Sequence, residues 1–143
     1  MVLIPAGGTS SDELASIDDG LALWNPVANL HVTRDEESAA PVLSIEFEDS
    51  APFFHGVYLP ETADIVINRR LGPSAERAVT IAHEMGHAFG LVHVSPDERP
   101  SVMNPGNVTL VPSEADAEAL SALWGPCSSI GGPRNAALAP TSF

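Results

Sequence analysis

Cysteine, positive charge and long apolar runs are all scarce in this chain, and each scarcity excludes something. A single cysteine, Cys127, rules out an intramolecular disulfide, so cysteine usage says little about the redox compartment. Six basic residues stand against nineteen acidic ones, and the net charge of −13 would repel a phosphate backbone, so nucleic acid is excluded as a partner. The same charge disfavours anionic membrane surfaces, and no apolar run approaches the ~20 residues needed to span a bilayer. Residues 1–5 are too short for an apolar signal region and carry no basic flank, so they do not read as a signal peptide. Charged residues make up only 17% of the chain and hydrophobic ones 44%, which is enough apolar material to bury and too little charge for wholesale disorder. At 143 residues the chain fits one soluble domain, and its acidity reads as solubility.

No internal repeat is visible. The first eleven residues, with Gly7, Gly8, Thr9, Ser10 and Ser11, read as an irregular leader. Over residues 11–24 the pattern turns helical, because Leu14, Ile17, Leu21 and Trp24 recur at spacings of three and four, and Asp12 and Glu13 suit a positive first turn. Residues 30–33 and 42–47 alternate apolar and polar positions and predict strands, with two more over 57–59 and 64–68. Pro52, Gly56 and Pro60 between them fit loops or a sheet edge. Ser74 is placed to cap a helix running to about Phe89, and Gly90 to stop it in the left-handed conformation. A proline-rich loop over 94–111 leads to a last helix with a capping-box-like start at Ser113 and Asp116, an apolar stripe of Ala117, Leu120 and Leu123, and an end at Gly125 and Pro126. The domain thus spans residues 1–125, and residues 126–143, rich in Gly, Ala, Pro and Ser, read as a flexible tail.

Three of the five histidines fall within eleven residues, in the run His83-Glu84-Met85-Gly86-His87-Ala88-Phe89-Gly90-Leu91-Val92-His93. On a helix, His83 and His87 stand about 6 Å apart along the axis and about 40° around it, so both imidazoles can reach one metal ion. Gly90 lets the backbone leave the helix sharply, bringing His93 back as a third ligand. Three neutral nitrogens leave a fourth tetrahedral position open, the arrangement of a catalytic zinc site and not of a closed structural one. Glu84, about 60° from His87 on the same side of the helix, can reach a water in that position without ligating the metal, and can take its proton. A lone histidine would more often be an ordinary core or surface residue. Two at i and i+4 around a Glu, followed by Gly90 and His93, leave little room for chance.

This extended motif resembles that of the metzincin zinc peptidases. The family's next landmark is a methionine in a tight turn beneath the metal, matched here by Met103 in Ser101-Val102-Met103-Asn104-Pro105. Taken alone, Met103 would more often be plain core. Within the family the chain is most similar to the matrixins, the matrix-metalloproteinase-like group, in its short link from His93 to Met103, in Pro105 two residues beyond, and in Leu123-Trp124-Gly125 ending the last helix. The resemblance is specific over residues 79–125. Upstream it rests only on residues 22–24 and 64–68.

The resemblance implies an α+β fold: a small twisted mixed sheet with an edge strand along the cleft, an N-terminal helix, a zinc-binding helix and a C-terminal helix. It implies a zinc endopeptidase with one catalytic Zn2+ on His83, His87 and His93 and with Glu84 as general base and acid. It also implies a peptide or protein substrate, a monomer, and a secreted or periplasmic setting. A matrixin's second, structural zinc has no ligand set here, since only His31 and His55 lie outside the motif, and Cys127 follows the domain, where no cysteine switch would place it. Structural calcium would have to come from Asp35, Glu48, Asp49 and Asp64, whose spacing does not support it. His31 reads as a half-exposed strand residue. His55, just before the edge segment, reads as a residue that touches substrate only if that segment lines the cleft, and the pocket beside the cut bond is expected from the loop at 104–111. The alternative class is a catalytically silent module that uses zinc to hold peptides or sequester metal, against which Glu84 argues. A third reading, an unrelated structural domain, predicts no stoichiometric zinc.

Overall fold

The structure, a computed structural model, describes residues 1–28, 32–34, 37 and 39–125. The order of elements is β1 (Val2–Pro5), α1 (Ser11–Ala22), β2 (Val42–Glu48), β3 (Gly56–Leu59), β4 (Asp64–Asn68), α2 (Ser74–Ala88) and α3 (Glu114–Trp124). The strands form one open mixed sheet in the order β1-β2-β4-β3. β1 and β4 flank β2 in parallel, and β3 runs antiparallel to β4 at the edge. The chain is therefore α+β, as the sequence implies.

Alternation in β2 places Leu43, Ile45 and Phe47 in the core and leaves Val42, Ser44, Glu46 and Glu48 partly or fully exposed. β4, paired on both sides, buries Ile65, Val66, Ile67 and Asn68 in succession, as an interior strand with both faces covered should. Helices α1 and α2 cross one another, and Trp24, just past the end of α1, is buried with its indole N–H donating to the Ala82 carbonyl at 3.0 Å. Edge-to-face packing of Trp24 on Phe89, with ring centroids 6.0 Å apart, fixes the far end of α2. Among the described residues, no helix is long and apolar enough to cross a membrane.

Two expectations need correction. The irregular leader is not irregular throughout: Val2–Pro5 is a strand, with Val2 and Leu3 buried and in parallel register with Val42 and Leu43. Four consecutive apolar residues ending in proline carry no alternation, which is why the pattern hides a strand that β2 completes. Nor does Ser74 cap α2, since it is the first helical residue and Pro73 occupies the cap without a side-chain bond. The serine cap lies instead on α1, where Ser10 and Glu13 form a full capping box. Of the strand expected at 30–33, Thr33 makes a parallel bridge to Val2, while residues 30 and 31 lie outside the described residues, as do His31, Asp35, Cys127 and the tail from 126.

Candidate metal centre and cleft

Helix α2 spends one face on the core, through Ile81, Ala82, Met85 and Ala88, and turns His83, Glu84 and His87 toward the cleft beneath β3. Gly90, at φ +99°, ends the helix. Its N–H donates to the His87 carbonyl at 2.9 Å, and the Leu91 N–H closes onto the Gly86 carbonyl at 2.9 Å. This turn reverses the chain so that His93 faces the helix it has left. The ligand-capable nitrogens of His83, His87 and His93 all lie within 4.8 Å of one another. Ring centroids are 4.9, 5.3 and 4.8 Å apart for the 83–87, 83–93 and 87–93 pairs.

The backbone prepares two of these rings. His83 Nδ1 lies 2.6 Å from the Val102 carbonyl and His87 Nδ1 lies 2.9 Å from the Leu91 carbonyl. A carbonyl can only accept, so each Nδ1 carries the proton and each Nε2 keeps its lone pair for the cleft. Nε2 of His83 and Nε2 of His93 are 3.2 Å apart. That separation suits an N–H···N bond between the rings, or two nitrogens sharing one tetrahedral cation, for which bonds of about 2.0–2.1 Å place them about 3.3 Å apart. The donor set, its tautomers and its spacing all fit zinc. Burial pushes His83 down to about 4, against the raising effect of the Val102 carbonyl and with the charges of His87, His93 and His55 lowering it further. Burial also lowers His87. Both rings are neutral at pH 7, the form a metal requires.

Glu84 is 5% exposed, and burial pushes its carboxyl up to about 7, opposed in part by a hydrogen bond from the Tyr58 backbone N–H. The carboxyl group lines both hollows of the cleft. One, of about 210 Å3, lies among residues 53–56, Thr80, His83, His93, Gly106 and Asn107. The other, about 450 Å3 and mainly apolar, is bounded by Val57, Tyr58, Pro60, His87, Leu91 and Val92. The loop at 104–111 thus supplies only Gly106 and Asn107 to the smaller pocket. The opposite wall is Phe53, Phe54, His55 and Gly56, of which the sequence raised His55 and Gly56 as neighbours of the cleft and missed the two phenylalanines.

Met103 sits 1% exposed in a tight turn below α2. A Cβ at Gly86 would overlap the Met103 sulfur, so the glycine inside the motif is what allows this methionine beneath the histidines. The Met103 carbonyl accepts from the Val94 N–H at 3.0 Å, and Asn104 Nδ2 donates to the Val94 carbonyl at 2.8 Å, fastening the chain just after His93 to the turn.

Two organisers were not read from the sequence. Asp116, fully buried in α3, accepts from Ser101 Oγ, from Arg99 Nη1 at 2.8 Å, from the Val102 N–H at 3.2 Å and from the Ser113 N–H at 3.0 Å. It therefore holds the residue whose carbonyl orients His83. Burial alone would raise its pKa, but these hydrogen bonds prevail and lower it. Asn68, at the end of β4, donates to the carbonyls of Ala51 at 3.1 Å and Phe54 at 2.8 Å and accepts from the Ser50 N–H at 3.2 Å, so it shapes the loop that presents Phe53 to His55. Of the acidic residues considered for calcium, Asp49 pairs with Arg70 at 3.4 Å, and among the described residues the three histidines are the group of side chains that converge as a metal would require.

No protein-family model and no curated protein matches the sequence. Among solved structures, the fold is similar to that of archaemetzincin from Methanopyrus kandleri, with a TM-score of 0.57 over 85% of this chain and 92% of that one, at 17% sequence identity. At that identity the likeness is one of fold.

Proposed function

We propose that this chain is a zinc-dependent peptidase of the metzincin type, hydrolysing peptide bonds of extended substrates. The observation that carries the reading is the convergence of His83, His87 and His93, two of them locked as Nδ1–H tautomers, beside the buried carboxylate of Glu84 at the sheet edge. The fold shared with a protein whose name places it among the metzincins adds support. When bound by these three rings, zinc supplies a Lewis acid that polarises a carbonyl and lowers the pKa of water to about 7.

The chain's own residues do the rest. Glu84, buried beside the three histidines, is placed both to take a proton from the attacking water and to give it to the leaving amine. Among the described residues β3 has a neighbour on one side only, so its outer edge can pair with a peptide main chain and bring a carbonyl to the site whatever the side chains. Hollows on both sides of Glu84 support an endopeptidase, because substrate can run past the cut bond in both directions. The narrower matrixin-like assignment rests on the short link to Met103, on Pro105 and on residues 123–125.

The test is Glu84→Ala beside His87→Ala, with zinc content and the initial rate of casein cleavage measured for each and for the parent. Losing the general base should lower the rate about 100- to 10,000-fold with zinc content scarcely changed. His87→Ala should lose both. A parent that holds one zinc yet cuts no peptide, or a Glu84→Ala variant as fast as the parent, would hand the protein to the silent zinc-binding module.

A further inference from the structure

The smaller pocket is a built recognition site whose polar groups are nearly all occupied. Thr80 donates its hydroxyl to the Glu76 carbonyl at 2.9 Å and turns its methyl toward Gly56. Asn107 uses its amide completely: Nδ2 donates to the carbonyls of Val102 at 3.2 Å and Leu110 at 2.8 Å, and Oδ1 accepts from the N–H groups of Thr109 and Leu110. Phe53, Phe54, Gly56 and Gly106 offer no polar side chain. His83 and His93 belong to the metal site, and Glu84 to the reaction. What is left is His55. Its ring makes no hydrogen bond to any described residue, and no buried side-chain nitrogen or oxygen lacks a partner, so its nitrogens open onto the pocket space or solvent.

The position of His55 is imposed, not incidental. Its carbonyl accepts from the Asn68 N–H at 2.8 Å, while the Asn68 side chain holds the carbonyls of Ala51 and Phe54 on the way into it. The backbone of His55 is thus fixed at the pocket while its unengaged ring stays free to turn toward a ligand. The pocket, of about 210 Å3, has room for a side chain. It adjoins Glu84, so the side chain it takes belongs to a residue flanking the cut bond. An imidazole N–H there asks for an oxygen acceptor. With Glu84 in the same wall and a net charge of −13 on the chain, a neutral carboxamide fits better than a carboxylate.

We propose that His55 is a specificity-determining residue, whose ring hydrogen-bonds the side-chain carboxamide of a glutamine or asparagine seated between Phe53, Phe54 and Asn107 next to the cut bond. This rests on the peptidase reading above. The opposite hollow, walled by Val57, Pro60, Leu91 and Val92, takes an apolar neighbour.

The experiment compares kcat/KM of the zinc-loaded parent, His55→Leu and His55→Gln on peptides identical except for Gln, Glu or Leu at each position flanking the cut. The parent should favour Gln over both isosteres at one of the two positions by about fivefold, the worth of one net hydrogen bond. His55→Leu should abolish or reverse the Gln-to-Leu preference, and His55→Gln, which keeps a donor, should retain part of it. A parent that cuts all three peptides alike, or a His55→Leu variant with the parent's ratio, overturns the role of His55 and leaves the peptidase reading standing. A second readout does not need turnover. In zinc-loaded Glu84→Gln, the NMR signals of the His55 ring should shift with the Gln peptide at concentrations where the Leu peptide has little effect. If His55 signals stay fixed with both, the proposal is wrong even for an active enzyme. If the parent also cuts nothing, the peptidase reading falls with it.

Discussion

Replacing Asp116 by Ala would strike furthest from the metal and still reach it. The carboxylate is fully buried and takes hydrogen bonds from Ser101 Oγ, the Val102 N–H, Ser113 and Arg99, whose own side chain is 29% exposed. Removing it takes away the carboxylate half of the capping box of α3, the acceptor of the Ser113 N–H, worth about 1 kcal/mol, while the Ser113 hydroxyl still caps the backbone at 116. Its removal also leaves the Ser101 hydroxyl and the Val102 N–H buried without an acceptor, at about 1–3 kcal/mol each. The Arg99 pair adds little, because its guanidinium reaches water and can be resolvated. Since the groups share one carboxylate their losses overlap, and about 4 kcal/mol is the expected loss of stability for a network of this kind. For a domain of this size that lowers Tm by roughly 10–20 °C.

The metal site should feel the same change. Without Asp116 the turn at 101–103 loosens, and with it the carbonyl that fixes the His83 tautomer, so zinc affinity should fall about 10- to 100-fold, as when a ligand's own partner is lost. Calorimetric melting of the metal-free variant and competition with a chromophoric chelator would measure the two effects separately. Asp116 has a depressed folded pKa, so its contribution is present above the ordinary carboxyl range and is lost as pH falls through the lower folded value. The Tm gap between parent and variant should accordingly close at strongly acid pH. A gap under about 3 °C at pH 7, or unchanged zinc affinity, would refute the coupling of α3 to His83.

Burial acts oppositely on two neighbours in the metal-free protein. His83, depressed to about 4, makes stability rise with pH up to 6.5, whereas Glu84, raised to about 7, makes it fall as pH rises from about 4.5. The metal-free parent should therefore show a shallow Tm profile between pH 4.5 and 6.5 and Glu84→Gln a clearly steeper rise, and parallel profiles would contradict the burial of either group. Gly86→Ala should lower Tm despite the better helix propensity of Ala. The new methyl displaces a buried Met103 sulfur, an overpacking cost of about 1–3 kcal/mol that exceeds a propensity gain of about 1, and a variant more stable than the parent would count against this packing. Acidification should also release zinc, because protons compete for the imidazoles, and metal retained in full well below the value of about 4 to which burial brings His83 would exclude the three-histidine site.

What could be read from the chain beforehand was what lies close along it. His83, Glu84, His87 and His93 fall within one helical turn and one glycine-led reversal, so their convergence follows from 3.6-residue periodicity and from Gly90, and the structure places them together. α3 announced itself through Ser113 and Asp116. Long-range organisers were hidden because nothing local marks them. The capping role of Asp116 is visible at three residues' spacing, but its bonds to Ser101 and Val102 are not. Asn68 reads as the end of a strand and becomes the anchor of a loop up to 18 residues away. β1 lacks alternation because its partner, forty residues on, is what makes it a strand.

The division has a physical cause that bears on how such a site evolves. The atoms that could hold a metal come from one contiguous segment, which also supplies the Leu91 carbonyl that orients His87, but the Val102 carbonyl that orients His83 comes from a turn held by α3, and the His55 wall from a loop held by β4. An eleven-residue motif excised from this setting would keep its donors and lose the burial that chiefly depresses His83. Equally, the surrounding parts can change without touching the motif. Replacing Phe53, Phe54 or His55 alters which side chain fits beside Glu84 while the three imidazoles stay where Val102, Leu91 and Gly90 put them. The histidine cluster and the wall at 53–56 thus come from separate stretches of chain that meet at the smaller pocket, which His83, Glu84 and His93 also line.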